Sequence, residues 1–348
     1  MKKILSIDGG GIRGIVPGTI LNILEKKLQK KSNNPQARLS DFFDFMAGTS
    51  TGGVLTCLYL TPDKKDSDRA RFSAQEAVDL YIKNGGNIFD IPTWKKLESM
   101  GGLTDERYDV MVLEKLLHSY FGSLKLSELI KPCLISSYDI KSRRAHFFTQ
   151  ADALIRGDSY DYYVKDVCRA TSAAPTYFET ALIKSLSKVS YPLIDGGVIV
   201  NNPAMCAYSE VRNAKGESKD DKVTAADMFI LSLGTGSEQK SFEYSKAKNW
   251  GMVSWLTPLL DIMMSGSSEV TDFYLKKIFD AVNRPHQYAR ISPTKMYNAD
   301  TNMADATPEN LAALVELGTL CAQENEDELE RVANLLVEDK ADKVVFEY

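Results

Sequence analysis

The sequence predicts an α/β protein, a three-layer sandwich in which helices cover both faces of a mainly parallel central sheet. Three observations lead to this fold class. Short apolar runs of strand length end in glycine-rich turns, and amphipathic helical patterns separate several of these runs. The chain of 348 residues is also 44% hydrophobic and 26% charged, an ordinary globular composition that can bury a large core without disulfides.

The first predicted unit is a strand, a turn and a helix. Residues Lys3 to Ile7 form an apolar run that ends at Asp8 and a glycine cluster. Pro17 suits the first turn of the helix that follows, and apolar residues then recur on one helix face: Ile20, Leu21, Leu24 and Leu28. A second unit comes next, because the run Phe42 to Ala47 also leads through glycines into an apolar helical stretch, Val54 to Leu60.

Strands and helices continue to alternate as far as residue 236. The further predicted strands are Pro132 to Ile140, Ala145 to Thr149, Tyr191 to Ile194 and Met228 to Leu233. The helices between them are Tyr108 to Tyr120, Tyr162 to Ala170 and Ala204 to Val211. After Gly236 no strand is predicted, and the helical patterns are Trp250 to Met264, Val270 to Val282, Pro308 to Leu320 and Asp327 to Val337.

No linker rich in Pro, Ser and Gly separates two halves, so the sequence predicts one domain. Within it, residues 1–240 form the α/β core and residues 241–348 form a mainly helical extension packed on that core.

Charge, cysteine spacing and hydropathy each exclude a class of protein. A net charge of -5 supplies no broad basic surface, so nucleic acid is not an expected partner. The five cysteines show no CxxC spacing and predict neither a disulfide framework nor a zinc site, and no metal or cofactor is expected. Asp8 interrupts the first apolar run too early for a signal peptide, and no uncharged stretch approaches the roughly 18 residues of a membrane-spanning helix. These features predict a cytoplasmic protein.

The segment Gly48 to Gly52 fits the pattern G-x-S-x-G where a predicted strand meets a predicted helix. A serine in such a sharp turn projects its hydroxyl from the sheet edge, and the flanking glycines avoid side-chain clashes. Ser50 is therefore a candidate nucleophile supported by Gly48 and Gly52. The alternative is a glycine-rich turn with an idle serine. A Walker phosphate loop is disfavoured, because Val54 and Leu55 stand where it needs Lys and Ser or Thr.

The loop Asp8 to Gly14 allows two interpretations. Its first, third and last glycines match the G-x-G-x-x-G pattern of dinucleotide-binding proteins, but no acidic residue ends the second strand to bind a ribose. In the other interpretation, the backbone N–H groups of Gly9, Gly10 and Gly11 form an oxyanion hole, and each such donor typically contributes about 3 kcal/mol to transition-state stabilisation. Arg13 would support the loop or attract an anionic head group.

The segment Asp195 to Gly197 follows the apolar run Tyr191 to Ile194, so Asp195 is predicted at the same carboxyl edge of the sheet as Ser50. Asp195 is the candidate base, and Gly196 and Gly197 support its turn. An aspartate in such a turn can also be only a cap. His286 follows Asp195 and gives the Ser, Asp, His order of α/β hydrolases, so a triad stays open beside a Ser–Asp dyad.

Taken in this order, the three glycine-rich motifs make the chain resemble the patatin family of lipid acyl hydrolases. Further similar segments are Ala173 to Phe178, Leu231 to Gly236 and Lys248 to Gly251, so the resemblance extends over nearly the whole chain. It implies a patatin-like fold and a phospholipase A type esterase that cleaves fatty-acyl esters of phospholipids or other polar lipids. Plant storage patatins look exported, whereas this chain shows no signal peptide.

Carried over residue by residue, the resemblance makes Ser50 the nucleophile, Asp195 its partner and Gly9 to Gly11 the oxyanion hole. The family has no catalytic histidine. An aspartate is a weak base, with an unperturbed pKa of about 3.9, so its site must be partly dry to raise that pKa. The runner-up from another class is a nucleotide-binding or regulatory protein that holds phosphate on the glycine loop.

Access to lipid requires an apolar surface, and the segment from Trp250 to Met264 is rich enough to supply one. It predicts either an acyl pocket with transient contact at a membrane surface or an ordinary buried helix. The expected partner is a phospholipid or other acyl-lipid substrate.

Overall fold

The computed structural model describes residues 1–89, 108–213, 223–236 and 242–338. Its strands are β1 (Lys2–Ile7), β2 (Phe45–Thr49), β3 (Cys133–Asp139), β4 (Arg144–Thr149), β5 (Ala181–Lys184), β6 (Ser190–Asp195), β7 (Met228–Leu233) and β8 (Tyr288–Ile291). Its helices are α1 (Ile15–Lys31), α2 (Thr51–Leu60), α3 (Ala74–Ile88), α4 (Val110–Phe121), α5 (Gln150–Arg156), α6 (Val164–Thr171), α7 (Ala204–Asn213), α8 (Tyr244–Ala247), α9 (Met252–Ala281), α10 (Pro308–Glu324) and α11 (Glu326–Glu338).

One mixed sheet contains all of these strands, in the hydrogen-bonding order β5–β6–β3–β2–β1–β7–β8. The strands β6 and β2 share one edge of β3, and β4 pairs with its other edge. The five strands β3, β2, β1, β7 and β8 are parallel. The strands β4, β5 and β6 enter by antiparallel pairing. The predicted fold class, a mostly parallel sheet between helices, is confirmed.

Successive residues of the central strands face different helix layers. Leu5 and Ile7 of β1 pack in one buried cluster with α1, α2 and α10, whereas Ile4 packs in a second cluster with α7 and α9. Strands that are buried on both faces need mainly apolar sequence, which explains why β7 is apolar except at Ser232 and why β1 is apolar at Ile4, Leu5 and Ile7. Among the described residues, no helix combines the length and apolarity needed to cross a bilayer.

Three sequence predictions of local structure are wrong. A strand does follow residue 236, because β8 joins the sheet beside β7. The predicted helices at 250–264 and 270–282 are one helix, α9, which continues through Pro258. The second strand begins at Phe45 and not at Phe42, because the chain leaves the short 3-10 turn Leu39–Asp41 only just before it. The helices α3, α5 and α8 and the strand β5 were not predicted.

Two strands meet end to end along one side of β3. Residues Met46 to Thr49 of β2 pair in parallel with the first half of β3, and Leu193 to Asp195 of β6 pair antiparallel with its second half. Thr49 is opposite Ser136, and Asp195 is opposite Ser137. The chain ends of β2 and β6 therefore arrive at the same point from opposite directions.

Candidate active site

Ser50 occupies a strained turn between β2 and α2. Its backbone has φ 54° and ψ -123°, a conformation that non-glycine residues rarely adopt. The flanking glycines permit the turn, because a Cβ at Gly48 would overlap the carbonyl oxygen of Gly52. Thr171 Oγ1 accepts a hydrogen bond of 2.8 Å from the Ser50 amide and donates one of 2.7 Å to the Ser136 carbonyl. The turn is thus held in a fixed position against β3.

The Ser50 hydroxyl donates a hydrogen bond of 2.6 Å to Asp195 Oδ2. The other carboxylate oxygen, Oδ1, accepts 2.7 Å from the Gly197 amide, and both side chains are buried. Asp195 reaches Ser50 because β2 and β6 end face to face on β3. The sequence predicted that Asp195 and Ser50 would meet at the shared carboxyl edge of parallel strands. This explanation is wrong, because β6 runs antiparallel to β3. Gly196 packs against Ser136 at this junction.

Burial raises the pKa of Asp195 from 3.8 to about 6. Desolvation is the largest cause, and the hydrogen bonds from Ser50 and Gly197 oppose it. A carboxylate with this pKa is ionised at neutral pH and is a better proton acceptor than an exposed aspartate.

The three predicted oxyanion-hole amides differ in their contacts. The Gly9 amide donates 3.1 Å to the Asn201 carbonyl oxygen. For the Gly10 and Gly11 amides, no acceptor is present among the described residues. Gly11 has φ 58°, lies in the left-handed region and lines the same cavity as Ser50 and Asp195.

Polar contacts from elsewhere in the fold hold this glycine loop. Thr235 Oγ1 donates 2.8 Å to the Gly9 carbonyl oxygen, and Arg13 donates to the carbonyl oxygens of Gly10 and Gly236, the latter at 2.9 Å. Arg13 is buried, so of its two predicted roles the contacts show loop support. Gly14 lies where α1 begins and packs against Thr51 Oγ1.

Asp8 is held by a residue that the sequence analysis did not identify. Arg290 of β8 donates to both oxygens of the Asp8 carboxylate, at 2.8 Å and 2.5 Å, and also 2.8 Å to Ser232 Oγ. Burial raises the pKa of Asp8, and the Arg290 guanidinium opposes this. The only available signal in the sequence was an arginine in an apolar segment, which becomes informative only once that segment is known to be a strand.

An apolar cavity of about 1120 Å³, counted with its open mouth, extends from Ser50 and Asp195. It passes between α2, α3 and α4 and is closed on one side by Leu260 and Met264 of α9. Its wall is almost entirely apolar and includes Val54, Leu58, Leu113, Leu117, Phe121 and Phe178. Such a space suits a hydrocarbon chain.

The histidines lie elsewhere. His286 is exposed in the turn that precedes β8, at the amino end of that parallel strand, whereas Ser50 follows the carboxyl end of β2. A Ser-His-Asp triad with His286 is therefore excluded by the topology. His146 packs among Phe148, Tyr162 and Tyr191. His118 is exposed on α4.

A serine hydroxyl bonded directly to a buried carboxylate, beside backbone amides and an apolar cavity, is an arrangement suited to the hydrolysis of fatty-acyl esters. The family model described as patatin-like phospholipase matches residues 5–208. Patatin group D-2 of Solanum tuberosum is 35% identical over 91% of this chain and 83% of its own length. The chain therefore belongs to the patatin-like phospholipase family and is a lipid acyl hydrolase.

Two other comparisons set the limits of this similarity. The Solanum tuberosum protein named probable inactive patatin-3-Kuras 1 is 32% identical over 91% of this chain and 85% of its own length. Overall identity thus does not say which residues act. Among solved structures, VipD from Legionella pneumophila aligns with 92% of this chain and 67% of its own length, at 13% identity. The TM-score of 0.35 is too low to support a shared fold.

Proposed function

We propose that the chain cleaves fatty-acyl esters of phospholipids or other polar lipids through a Ser50–Asp195 dyad. The hydrogen bond of 2.6 Å between the Ser50 hydroxyl and the Asp195 carboxylate is the observation that carries this proposal. Asp195 removes the Ser50 proton as Oγ attacks the ester carbonyl carbon, and then gives this proton to the leaving alcohol. Water cleaves the acyl-enzyme by the same steps, so the products are a fatty acid and the free serine.

The negative charge that develops on the carbonyl oxygen requires hydrogen-bond donors. The amides of Gly10 and Gly11 are suited to this role, because neither has another acceptor among the described residues, whereas the Gly9 amide is bonded to Asn201. We therefore assign Gly10 and Gly11 as the donors of the oxyanion hole and Gly9 as the residue that fixes the loop. The substrate acyl chain occupies the apolar cavity.

Transient contact with a membrane surface is part of the proposal. Five exposed apolar side chains of α9 fall on a stripe roughly 100° wide around the helix, and the exposed Val253 lies outside it. The five are Met252, Trp255, Leu259, Ile262 and Met263. Leu260 and Met264, which line the cavity, lie on the sector next to this stripe. An apolar helix face at the rim of an acyl cavity is suited to shallow insertion among lipid head groups.

We also propose that the α/β core and the helical extension form one domain. The extension contributes β8 to the sheet, and Leu275 and Phe279 of α9 are buried against residues of β1 and β2. Removal of residues 241–348 would therefore expose the core. The cytoplasmic location stays a prediction of the sequence.

The proposed nucleophile is tested by labelling with a fluorophosphonate, which forms a covalent bond to an activated serine. We expect the wild-type chain to be labelled and Ser50→Ala to be spared. Ser172→Ala is a matched control, because Ser172 also lines the cavity but has no carboxylate partner within the described part of the chain. Labelling of Ser50→Ala at the wild-type rate would contradict the assignment, and a rise in melting temperature with nucleotide would favour the phosphate-binding alternative.

A further inference from the structure

The carboxyl end of α6 contacts the backbones of both Ser50 and Asp195. Thr171, the last residue of the helix, accepts the Ser50 amide on its Oγ1 at 2.8 Å. Two residues later, the carbonyl oxygen of Ala173 accepts the Asp195 amide at 3.0 Å. Positions two residues apart are separated by at most about 7 Å even in an extended chain. One short segment therefore holds two residues that are 145 positions apart in the sequence.

The Thr171 hydroxyl connects this segment to the sheet. It accepts from the Ser50 amide and donates 2.7 Å to the Ser136 carbonyl oxygen of β3. The direction of both bonds is fixed, because an amide can only donate and a carbonyl oxygen can only accept. The strands β2 and β6 both end beside this part of β3. The hydroxyl thus joins the turn of the nucleophile to the strand that also carries the end of β6.

The turn at Ser50 depends on such a support because its backbone is strained, with φ 54° and ψ -123°. Thr171 is fully buried, so solvent does not replace its hydroxyl as the acceptor of the Ser50 amide. Without this hydroxyl, the buried amide would be left unpaired in the strained conformation, which favours relaxation of the turn. The support itself is firmly packed, since Val167 and Cys168 of α6 are fully buried.

We infer that Thr171 is a positioning residue for the reaction, whose hydroxyl holds the Ser50 turn at the separation from Asp195 that proton transfer requires. The inference rests on the proposed function, since it requires these two residues to be the catalytic dyad. A displacement of about 1 Å at a reacting group can cost about 100-fold in rate. Thr171 is not among the residues that line the acyl cavity. Its loss should therefore lower kcat and leave substrate binding unchanged.

The test compares Thr171→Val with Thr61→Val on a soluble short-chain ester. Valine keeps the branched shape of threonine and removes its hydroxyl. We expect Thr171→Val to lower kcat by about 100-fold at unchanged KM, and Thr171→Ser, which retains the hydroxyl, to recover most of this loss. Thr61 is the matched control, because its buried hydroxyl follows the far end of α2 and donates 2.7 Å to the Cys57 carbonyl oxygen. Thr61→Val also loses a buried hydrogen bond, but it keeps the wild-type kcat.

Three results would overturn the inference: an unchanged kcat in Thr171→Val, a change confined to KM, or an equal loss of kcat in Thr61→Val. If the valine variant does not fold, Thr171→Cys makes the same comparison, because a thiol is only a weak donor and a weak acceptor. Ser50→Ala is assayed in parallel. Full activity in Ser50→Ala would refute the proposed function itself, whereas an inactive Ser50→Ala with wild-type kcat in Thr171→Val would refute only the role of Thr171.

Discussion

The two walls of the acyl cavity differ in how they are built. At the strand ends, Ser50, Asp195 and Asp8 are buried, and each is fixed by hydrogen bonds from several elements of the fold. On the opposite wall, the first half of α9 turns apolar side chains toward solvent; Met252 is 91% exposed. The difference indicates that bond cleavage and access to lipid are separate tasks. Changes at the first wall should affect every ester, and changes on the outer face of the second should affect only aggregated lipid.

The largest effect is expected at the strand ends. Ser50→Ala and Asp195→Asn should each reduce kcat by about 10⁴-fold, the size found when a member of a catalytic unit is removed. Because the chemistry itself is lost, the reduction should be the same for a soluble short-chain ester and for phospholipid vesicles. Initial rates on both substrates measure it. Retention of activity on either substrate would contradict the proposal that the residues at the strand ends cleave every ester.

The free energy of unfolding of the Asp195→Asn variant shows whether its loss of activity is caused by unfolding. The pKa of Asp195 in the folded protein, about 6, is above its unfolded value, so the folded state binds more protons between about pH 4 and pH 6 and loses stability as the pH rises through this window. Asparagine removes this penalty. We expect the variant to be more stable than wild type at pH 7 by on the order of 2 kcal/mol, with the difference vanishing near pH 4. Urea unfolding at the two pH values measures it.

The next effect is a pH dependence of the reaction. Asp195 must be ionised to accept the Ser50 proton, so kcat for a soluble ester should fall about tenfold for each pH unit below about 6 and should level off above it. A rate profile from pH 4 to pH 8 measures this. No inflection near pH 6 would show that another group is the base. Glu210→Gln is a suitable control, because Glu210 is a partly buried carboxyl on α7, outside the cavity lining.

A smaller effect is expected on the outer face of α9. Trp255→Glu and Met263→Glu should reduce hydrolysis of phospholipid vesicles by about tenfold and leave a soluble short-chain ester unaffected, because a charge opposes insertion among lipid tails. Leu182→Glu is the matched control, since Leu182 is a more exposed apolar residue on β5. An equal loss on both substrates would exclude a specific membrane role. A shift to a larger species in solution for wild type alone would show that the stripe binds a second copy of the chain.

Much of the site was predictable because its parts are local. At the elbow of Ser50, a Cβ at Gly48 would clash with the carbonyl oxygen of Gly52 within five residues, and this constraint is visible as a glycine in the sequence. The turn at Asp195 and the loop at Asp8 are also visible as glycines, although the close neighbours of those glycines, such as Ser136 and Thr235, are distant in the chain. The contacts that join these parts were not predictable, because they involve residues as far apart in the chain as Asp8 and Arg290, about 280 residues.

The sequence by itself determined the class of fold, the strained serine turn and the apolar character of the segment that became α9. Tertiary structure alone decided that β6 returns antiparallel and ends opposite β2, that the Gly9 amide is bonded to Asn201, and that α9 has one face on the cavity and another toward solvent. The physical reason is the distance along the chain over which each interaction acts. Turn sterics and hydrophobic period act over a few residues and leave a pattern in the chain, whereas strand order and direction depend on long-range pairing that no local pattern specifies.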